Sequence, residues 1–153
     1  MNPLAFSQVP VTDVAHAIQL SLAPVFLLNG IGVLLAMMTS RLARIVDRAR
    51  GLEQRLQHAN GDEARDLIGT LGTISRRARM MNFSITLSTV AALLIALVVA
   101  LLFASAFAAV SLAAVVSLLF ILSMLSLVLA LLGFLIEIRI ATASLRIGPY
   151  KPQ

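Results

Sequence analysis

The strongest candidate for a functional polar residue is Asn29. It lies near the middle of a run without Asp, Glu, Lys or Arg, from Val14 to Ser40. That run has 27 residues, and about 20 are enough for a helix to cross the hydrocarbon of a bilayer. A carboxamide at that depth needs a hydrogen-bond partner, which leaves two interpretations open. It either lines a pore or joins two helices by a hydrogen bond worth about 0.6 to 2 kcal/mol. The candidate pore-lining or interhelical polar site comprises Asn29, Gln19, Ser21, Gly32 and Ser40.

Three arginines, Arg41, Arg44 and Arg48, follow directly after this run. Guanidinium groups at that position are expected to contact anionic lipid headgroups, each contributing about 1 kcal/mol near the surface. They also have a simpler interpretation, because arginines beside a membrane span fix its orientation whatever else the protein does. The two roles are compatible, and the three residues are the predicted anionic-lipid contact.

Glu137 ends a second uncharged run, the 57 residues from Met80 to Ile136. Arg139 is two residues away and lies on another face of the same helix, so it cannot be the partner of this carboxylate. We therefore predict an interhelical ion pair for Glu137, with Arg41, Arg44 or Arg79 as the cation. A proton or cation site is the alternative interpretation.

Motifs for catalysis and metal binding are missing from the sequence. There is no cysteine, no HExxH, no GxSxG, no phosphate-binding glycine loop and no pair of carboxylates within an apolar run. His16 and Asp13 alone make a weak metal site. We expect no enzyme activity, no cofactor, no metal and no evident small-molecule substrate. Nucleic acid is also not expected, because no aromatic residue lies among the basic ones.

The composition predicts an all-α integral membrane protein. Apolar residues make up 59% of the 153 residues, and the mean hydropathy is +0.97, which is far above what soluble domains carry. We predict a single membrane domain with three transmembrane helices and a turn between spans 2 and 3 near residues 104–111. Its parts are an external tail (1–12), span 1 (13–40), a cytoplasmic helical hairpin (41–79), span 2 (82–103), span 3 (113–137) and a cytoplasmic tail (138–153).

The predicted hairpin extends spans 1 and 2 as two antiparallel helices, because no helix-breaking residue follows Ser40 until Gly51 and no proline until Pro149. Asn60 and Gly61 supply the turn. Apolar residues alternate at three and four positions, the spacing of a coiled coil. They are Leu42, Ile45, Ala49, Leu52, Leu56 and Ala59 on the outgoing helix, and Leu67, Leu71, Ile74, Ala78 and Met81 on the returning one.

Helical spacing also predicts which faces of the spans pack. On span 1, a face with an amide and small residues is expected to contact protein, and a neighbouring apolar face to contact lipid in part. The first comprises Val25, Asn29, Gly32, Ala36 and Ser40; the second comprises Leu28, Ile31, Leu35 and Met38. On span 2, small residues at every fourth position indicate tight helix packing. They are Ser84, Ser88, Ala92, Ala96, Ala100 and Ala104.

The arginines predict the topology. Nine lie between spans 1 and 2, and Arg139, Arg146 and Lys151 follow span 3, whereas the N-terminal segment and the second connection have no basic residue. By the positive-inside rule, the hairpin and the C-terminus are cytoplasmic and the N-terminus is outside.

The run LLNGIGVLLAMMTSRLARIVDRARGLE, Leu27 to Glu53, resembles the signature of an uncharacterised family of small bacterial three-span integral membrane proteins, domain of unknown function 2721. The three-span layout is similar over nearly the whole chain. The resemblance implies the bacterial inner (cytoplasmic) membrane as the location and implies no activity.

Two classes of function remain. The first and preferred one is a homo-oligomeric membrane assembly, with ion conduction in a version that places span 1 near a central axis. The second is an accessory or scaffold subunit that binds another membrane protein through the hairpin. The oligomer mass in detergent separates them.

Overall fold

The computed structural model describes residues 11–108 and 112–143, with side chains for 15–105 and 112–141. These residues form three α-helices: α1, Val11–Leu56; α2, Asp62–Ala108; and α3, Ala113–Ala143. No strand occurs in the described ranges. The prediction of an all-α fold is confirmed. Most of the two predicted tails, residues 1–10 and 144–153, lies outside the described residues.

Each of the three helices is long and apolar enough to cross a membrane. Large apolar side chains lie on their outer surfaces, and Phe26 and Leu93 are 73% and 66% exposed. Apolar surface on this scale would be unstable against water but is suited to contact with lipid tails. The prediction of three membrane-spanning helices is therefore confirmed.

The first helix continues without a break from the apolar run into the arginine-rich segment, as predicted. It also continues across Pro24, and it ends at Leu56, where a short turn over residues 57–61 begins. Gly61 in that turn has φ +62°, a left-handed conformation that glycine adopts at little cost. Asp62 and Glu63 then form the acidic first turn of α2. Their negative charge stabilises the helix there, because the N-terminal end of the helix dipole is positive.

The second connection differs from the prediction. Helix α2 continues to Ala108 and α3 begins at Ala113, so residues 104–108 of the predicted turn are helical, and its residues 109–111 lie outside the described part. The residues from 103 to 108 are alanine, phenylalanine and one serine and include no glycine or proline, which explains the longer helix. Helix α3 likewise continues past Glu137 to Ala143.

The helices pack in two compact units, and each helix contributes to both. The first unit comprises the described residues up to Leu34 together with Ser88–Leu127. Its buried positions include Ile31, Ala91 and Ile95. A hydrogen bond from Ser123 Oγ of α3 to the Ala91 carbonyl of α2, at 3.0 Å, joins two helices inside this core. Such a bond contributes about 0.6 to 1.7 kcal/mol between membrane helices.

The second unit comprises Leu35–Leu87 and the described residues from Val128 onward. Met38, Met81 and Ala130 are completely buried in it. Helices α2 and α3 approach closely at Gly133, where an added Cβ would lie 2.5 Å from Ser84 Oγ. The predicted hairpin seam positions are all half-buried or buried, while most of the residues between them are exposed.

Within the chain, α1 packs through its apolar stripe and not through the face with Asn29 and small residues. Ile31 and Met38, assigned in part to lipid, are 1% and 0% exposed, whereas Asn29, Gly32 and Ala36 are exposed. The reason is register. The positions Leu28, Ile31, Leu35 and Met38 continue the alternating spacing of Leu42 and Ile45, so one stripe of α1 supplies both the hairpin seam and the packed face of the span.

The predicted small-residue face of α2 is correct only at its start. Ser84 and Ser88 are fully buried, but Ala96, Ala100 and Ala104 are exposed. A spacing of four drifts around a helix of 3.6 residues per turn by about 40° at every step, so the row leaves the interface. The buried residues instead alternate by three and four: Ser84, Ser88, Ala91, Ile95 and Val98.

Candidate functional site: an arginine-lined cavity with a buried glutamate

An ion pair between α2 and α3 forms the centre of the candidate site. Arg77 donates to Glu137 Oε1 through Nη2 at 2.9 Å and through Nε at 3.3 Å. The Glu137 side chain is 2% exposed and that of Arg77 is 23% exposed. Removal of either partner would leave a charge in a poorly solvated place, which is costly.

Only one oxygen of the glutamate is satisfied by this pair. Both Arg77 donors converge on Oε1, and Oε2 is buried with no hydrogen-bond partner among the described residues. A buried carboxylate oxygen without a donor costs about 1 to 3 kcal/mol or more. Native structures rarely leave such an acceptor empty, so Oε2 is the point of this site at which a further donor is expected.

Helix α1 adds three more guanidinium groups. The residues Arg41, Arg44, Ile45, Arg48, Ile74, Arg77 and Glu137 line a cavity of about 340 Å³. Arg41 lies over the ring of Phe134, 5.4 Å from its centroid, a cation–π contact worth about 0.5 to 1 kcal/mol. Arg44 and Arg48 make no ion pair or hydrogen bond with a described residue. The cavity is therefore lined by four cationic side chains and one anionic side chain.

The partner of Glu137 is Arg77, not one of the three arginines that we expected. Arg77 follows the buried Ile74 by three positions and precedes the buried Met81 by four, so its side chain begins on the packed face of α2. Arg79 is two residues farther and points about 200° away. It lines a different groove, with Met80 and Phe83.

A signal for the position of Glu137 was present in the sequence but was missed. Along α3 the buried or half-buried small residues alternate by three and four and lead to this carboxylate: Ser123, Ser126, Ala130, Gly133 and Glu137. That stripe is the packed face of an otherwise uniformly apolar helix. Glu137 is therefore buried by register, although it stands at the end of the uncharged run.

The candidate polar site around Asn29 is not assembled inside one chain. Asn29, Gln19, Gly32 and Ser40 are exposed, and the Asn29 amide makes no hydrogen bond with a described residue. Ser21 is 5% exposed, and its hydroxyl donates to the Ile18 carbonyl of the same helix at 2.8 Å. Ser21 thus lies on the packed side, away from the other four.

Comparison with known proteins identifies the family of this chain. A family model described as "Protein of unknown function (DUF2721)" matches residues 21–147. The chain belongs to this family. The part that matches the DUF2721 model contains Asn29 and all seven residues that line the arginine cavity, whereas Gln19 precedes it. No curated protein and no solved structure matches the chain.

Proposed function

We propose that this DUF2721 protein works as a homo-oligomeric assembly in the bacterial inner membrane, with copies that associate through the exposed face of α1. The observation that supports this proposal is the exposed Asn29 amide in a membrane-spanning helix. Lipid tails offer it no donor or acceptor, and an unsatisfied amide in hydrocarbon costs several kcal/mol. A neighbouring protein surface removes that cost.

A second copy is the partner that suits this face best. The carboxamide of Asn29 is both a donor and an acceptor, so two or more copies around an axis can bond to one another. Gly30 and Gly32 lie beside it, and an added Cβ at either would have no neighbour within 4 Å. Backbones can approach closely there, as they do in membrane helix pairs with small residues.

We expect Asn29→Leu to weaken the assembly by about 3-fold to 20-fold in the dissociation constant, because each interhelical bond of this kind contributes about 0.6 to 1.7 kcal/mol. The measurement is the mass of the detergent-solubilised protein over a dilution series. Asn82→Leu is the matched control, since Asn82 is an exposed asparagine near the start of the uncharged run of α2, three residues after Arg79, where lipid headgroups and water can bond to its amide. A wild-type protein that is monomeric at every concentration would exclude the proposal.

Ion conduction is a more specific form of the proposed function. If copies of α1 surround an axis, Asn29 and Gln19 present polar groups to it. Liposomes that contain inserted protein should then pass ions, and Asn29→Leu should change the conductance or the ion selectivity. Sealed liposomes with inserted wild-type oligomer would rule out conduction and leave the assembly in place.

The proposed topology puts the hairpin and the C-terminus in the cytoplasm, because the basic residues cluster there. The chain has no cysteine, so single cysteines report their side of the membrane directly. A membrane-impermeant maleimide should label His58→Cys, in the exposed turn after α1, only in inside-out vesicles. Leu112→Cys, between α2 and α3, should label only in right-side-out vesicles. The reverse pattern would invert the topology.

The alternative function is that of an accessory or scaffold subunit, and a groove in the hairpin favours it. The groove has a volume of about 590 Å³ and lies between Ile45 and Ala49 of α1 and Ile68 and Leu71 of α2. Ile68 is 58% exposed, so a helix from another membrane protein would find apolar surface there. A monomeric wild-type protein that copurifies with one defined membrane protein, and loses it in Ile68→Glu, would establish this role.

A further inference from the structure

The arginine cavity carries more positive charge than the described residues neutralise. Of its four guanidinium groups, one is paired with Glu137 and one lies over Phe134, while Arg44 and Arg48 have no anionic partner among the described residues. The lining thus has a formal charge of about +3 at neutral pH. Cations held this close repel one another, and a bound anion relieves that repulsion.

Phosphate is the anion that suits such a lining. Guanidinium groups donate pairs of parallel hydrogen bonds to phosphate oxygens, and these charge-assisted bonds are about twice as strong as neutral ones. A cavity of about 340 Å³ lies at the lower end of the volumes that hold small ligands. It has room for a phosphate with a short polar substituent.

Glu137 adds a second requirement to the ligand. Its Oε2 atom is buried and has no donor in the described part of the chain, while Oε1 is held by Arg77. A phosphodiester without further donors cannot serve this oxygen, since it carries no P–OH group at neutral pH. A hydroxyl group on the phosphate substituent can donate to Oε2, and the carboxylate would then select for ligands that carry one.

We infer that the cavity is a binding site for a phosphate ester that carries a hydroxyl group, with Arg44 and Arg48 on the phosphate and Glu137 Oε2 accepting from the hydroxyl. A glycerol phosphate group has this chemistry. It could come from a phosphatidylglycerol headgroup or from free glycerol phosphate. Arg41 and Glu137 stand at the ends of the two uncharged runs, where lipid headgroups lie in a membrane-spanning chain.

This site goes beyond a general attraction of arginines to anionic membranes, because it predicts a preference between lipids of equal charge. Phosphatidylmethanol has the same single negative charge as phosphatidylglycerol but a methyl group in place of the glycerol. We expect the full-length protein in neutral detergent to bind phosphatidylglycerol at least about 10-fold more tightly, the effect of one hydrogen bond to a charged group. Native mass spectrometry of lipid-bound species measures both affinities.

Arginine variants test the same site. Arg44→Gln and Arg48→Gln should each raise the dissociation constant for phosphatidylglycerol by about 10-fold or more. Both residues are exposed, so the fold should be retained, and circular dichroism checks this. Arg55→Gln is the matched control, because Arg55 is on the same helix but lines a different pocket, near the end of α1. Its affinity should stay within about twofold of wild type.

Glu137→Gln separates the two parts of the site. It should remove the preference for phosphatidylglycerol over phosphatidylmethanol and keep binding of both lipids. A competition with free glycerol phosphate distinguishes the sources: displacement of the lipid at micromolar concentration indicates a soluble ligand, and displacement only above millimolar concentration indicates the lipid. Equal affinities of the two lipids for the wild type, or equal losses in Arg44→Gln and Arg55→Gln, would overturn the inference.

Discussion

Replacement of Glu137 by Leu should lower the free energy of unfolding by about 3 kcal/mol, the lower end of the range for breaking a buried ion pair. The lower end applies because the Arg77 side chain keeps 23% of its exposure. Loss of the carboxylate leaves Arg77 without its anion in a poorly solvated place between α2 and α3. The measurement is denaturant or thermal unfolding in detergent, followed by circular dichroism at the helix band.

The double variant Arg77→Leu/Glu137→Leu tests whether the loss comes from the unpaired charge. Two apolar side chains can replace a buried pair at little cost, so the double variant should be more stable than either single variant. Asp47→Ala is the control, since Asp47 and Arg50 form an exposed pair within α1, with side chains 74% and 72% accessible. It should change stability by less than about 1 kcal/mol. Single variants as stable as wild type would show that the Arg77–Glu137 pair contributes nothing.

The second large effect is expected at Gly133. In Gly133→Ala, the new Cβ would lie 2.5 Å from Ser84 Oγ, so either the hydroxyl rotates away from the Met80 carbonyl that it bonds at 3.3 Å or the helices separate. Overpacking of this kind costs about 1 to 3 kcal/mol. The same unfolding measurement in detergent reports it.

A second substitution and a second glycine control this prediction. Ser84→Ala removes the hydroxyl and leaves its Cβ 3.8 Å from the added methyl group, an ordinary contact, so Gly133→Ala/Ser84→Ala should recover most of the loss. Gly69→Ala, with no atom within 4 Å of the new Cβ, should stabilise α2 by up to about 1 kcal/mol. If Gly133→Ala behaves like Gly69→Ala, the close approach of α2 and α3 is wrong.

The helices themselves could be predicted from the sequence, because their signals are local. The lengths of the uncharged runs indicated three membrane-spanning helices, the missing breakers after Ser40 indicated an unbroken α1, and Asn60-Gly61 indicated the turn. The predicted turn at residues 104–111 included residues 104–108, which are helical, because alanine and serine are compatible with both a helix and a turn. No local feature of that segment marks where α2 ends.

The packed face of each helix was harder to predict than the helices themselves, although the sequence contained part of the signal. The stripe through Ile31 and Met38 has the same spacing as the hairpin seam, and continuity of α1 would have assigned both to one face. The small residues around Asn29, which are expected to contact protein, are exposed in the single chain. Small residues permit close approach but do not require it, so composition alone did not distinguish a contact within the chain from one with another copy.

The sequence by itself determined the helices, their lengths and the need of Glu137 for a cation, because length, hydropathy and charge are properties of one segment at a time. Only the tertiary structure decided that the cation is Arg77, that Oε2 has no donor among the residues described, and that Arg41, Arg44 and Arg48 share a cavity with them. Those facts depend on the rotation of three helices about their axes. A rotation of about 100°, the angle between neighbouring residues, would exchange one arginine for another while leaving every local sequence signal unchanged.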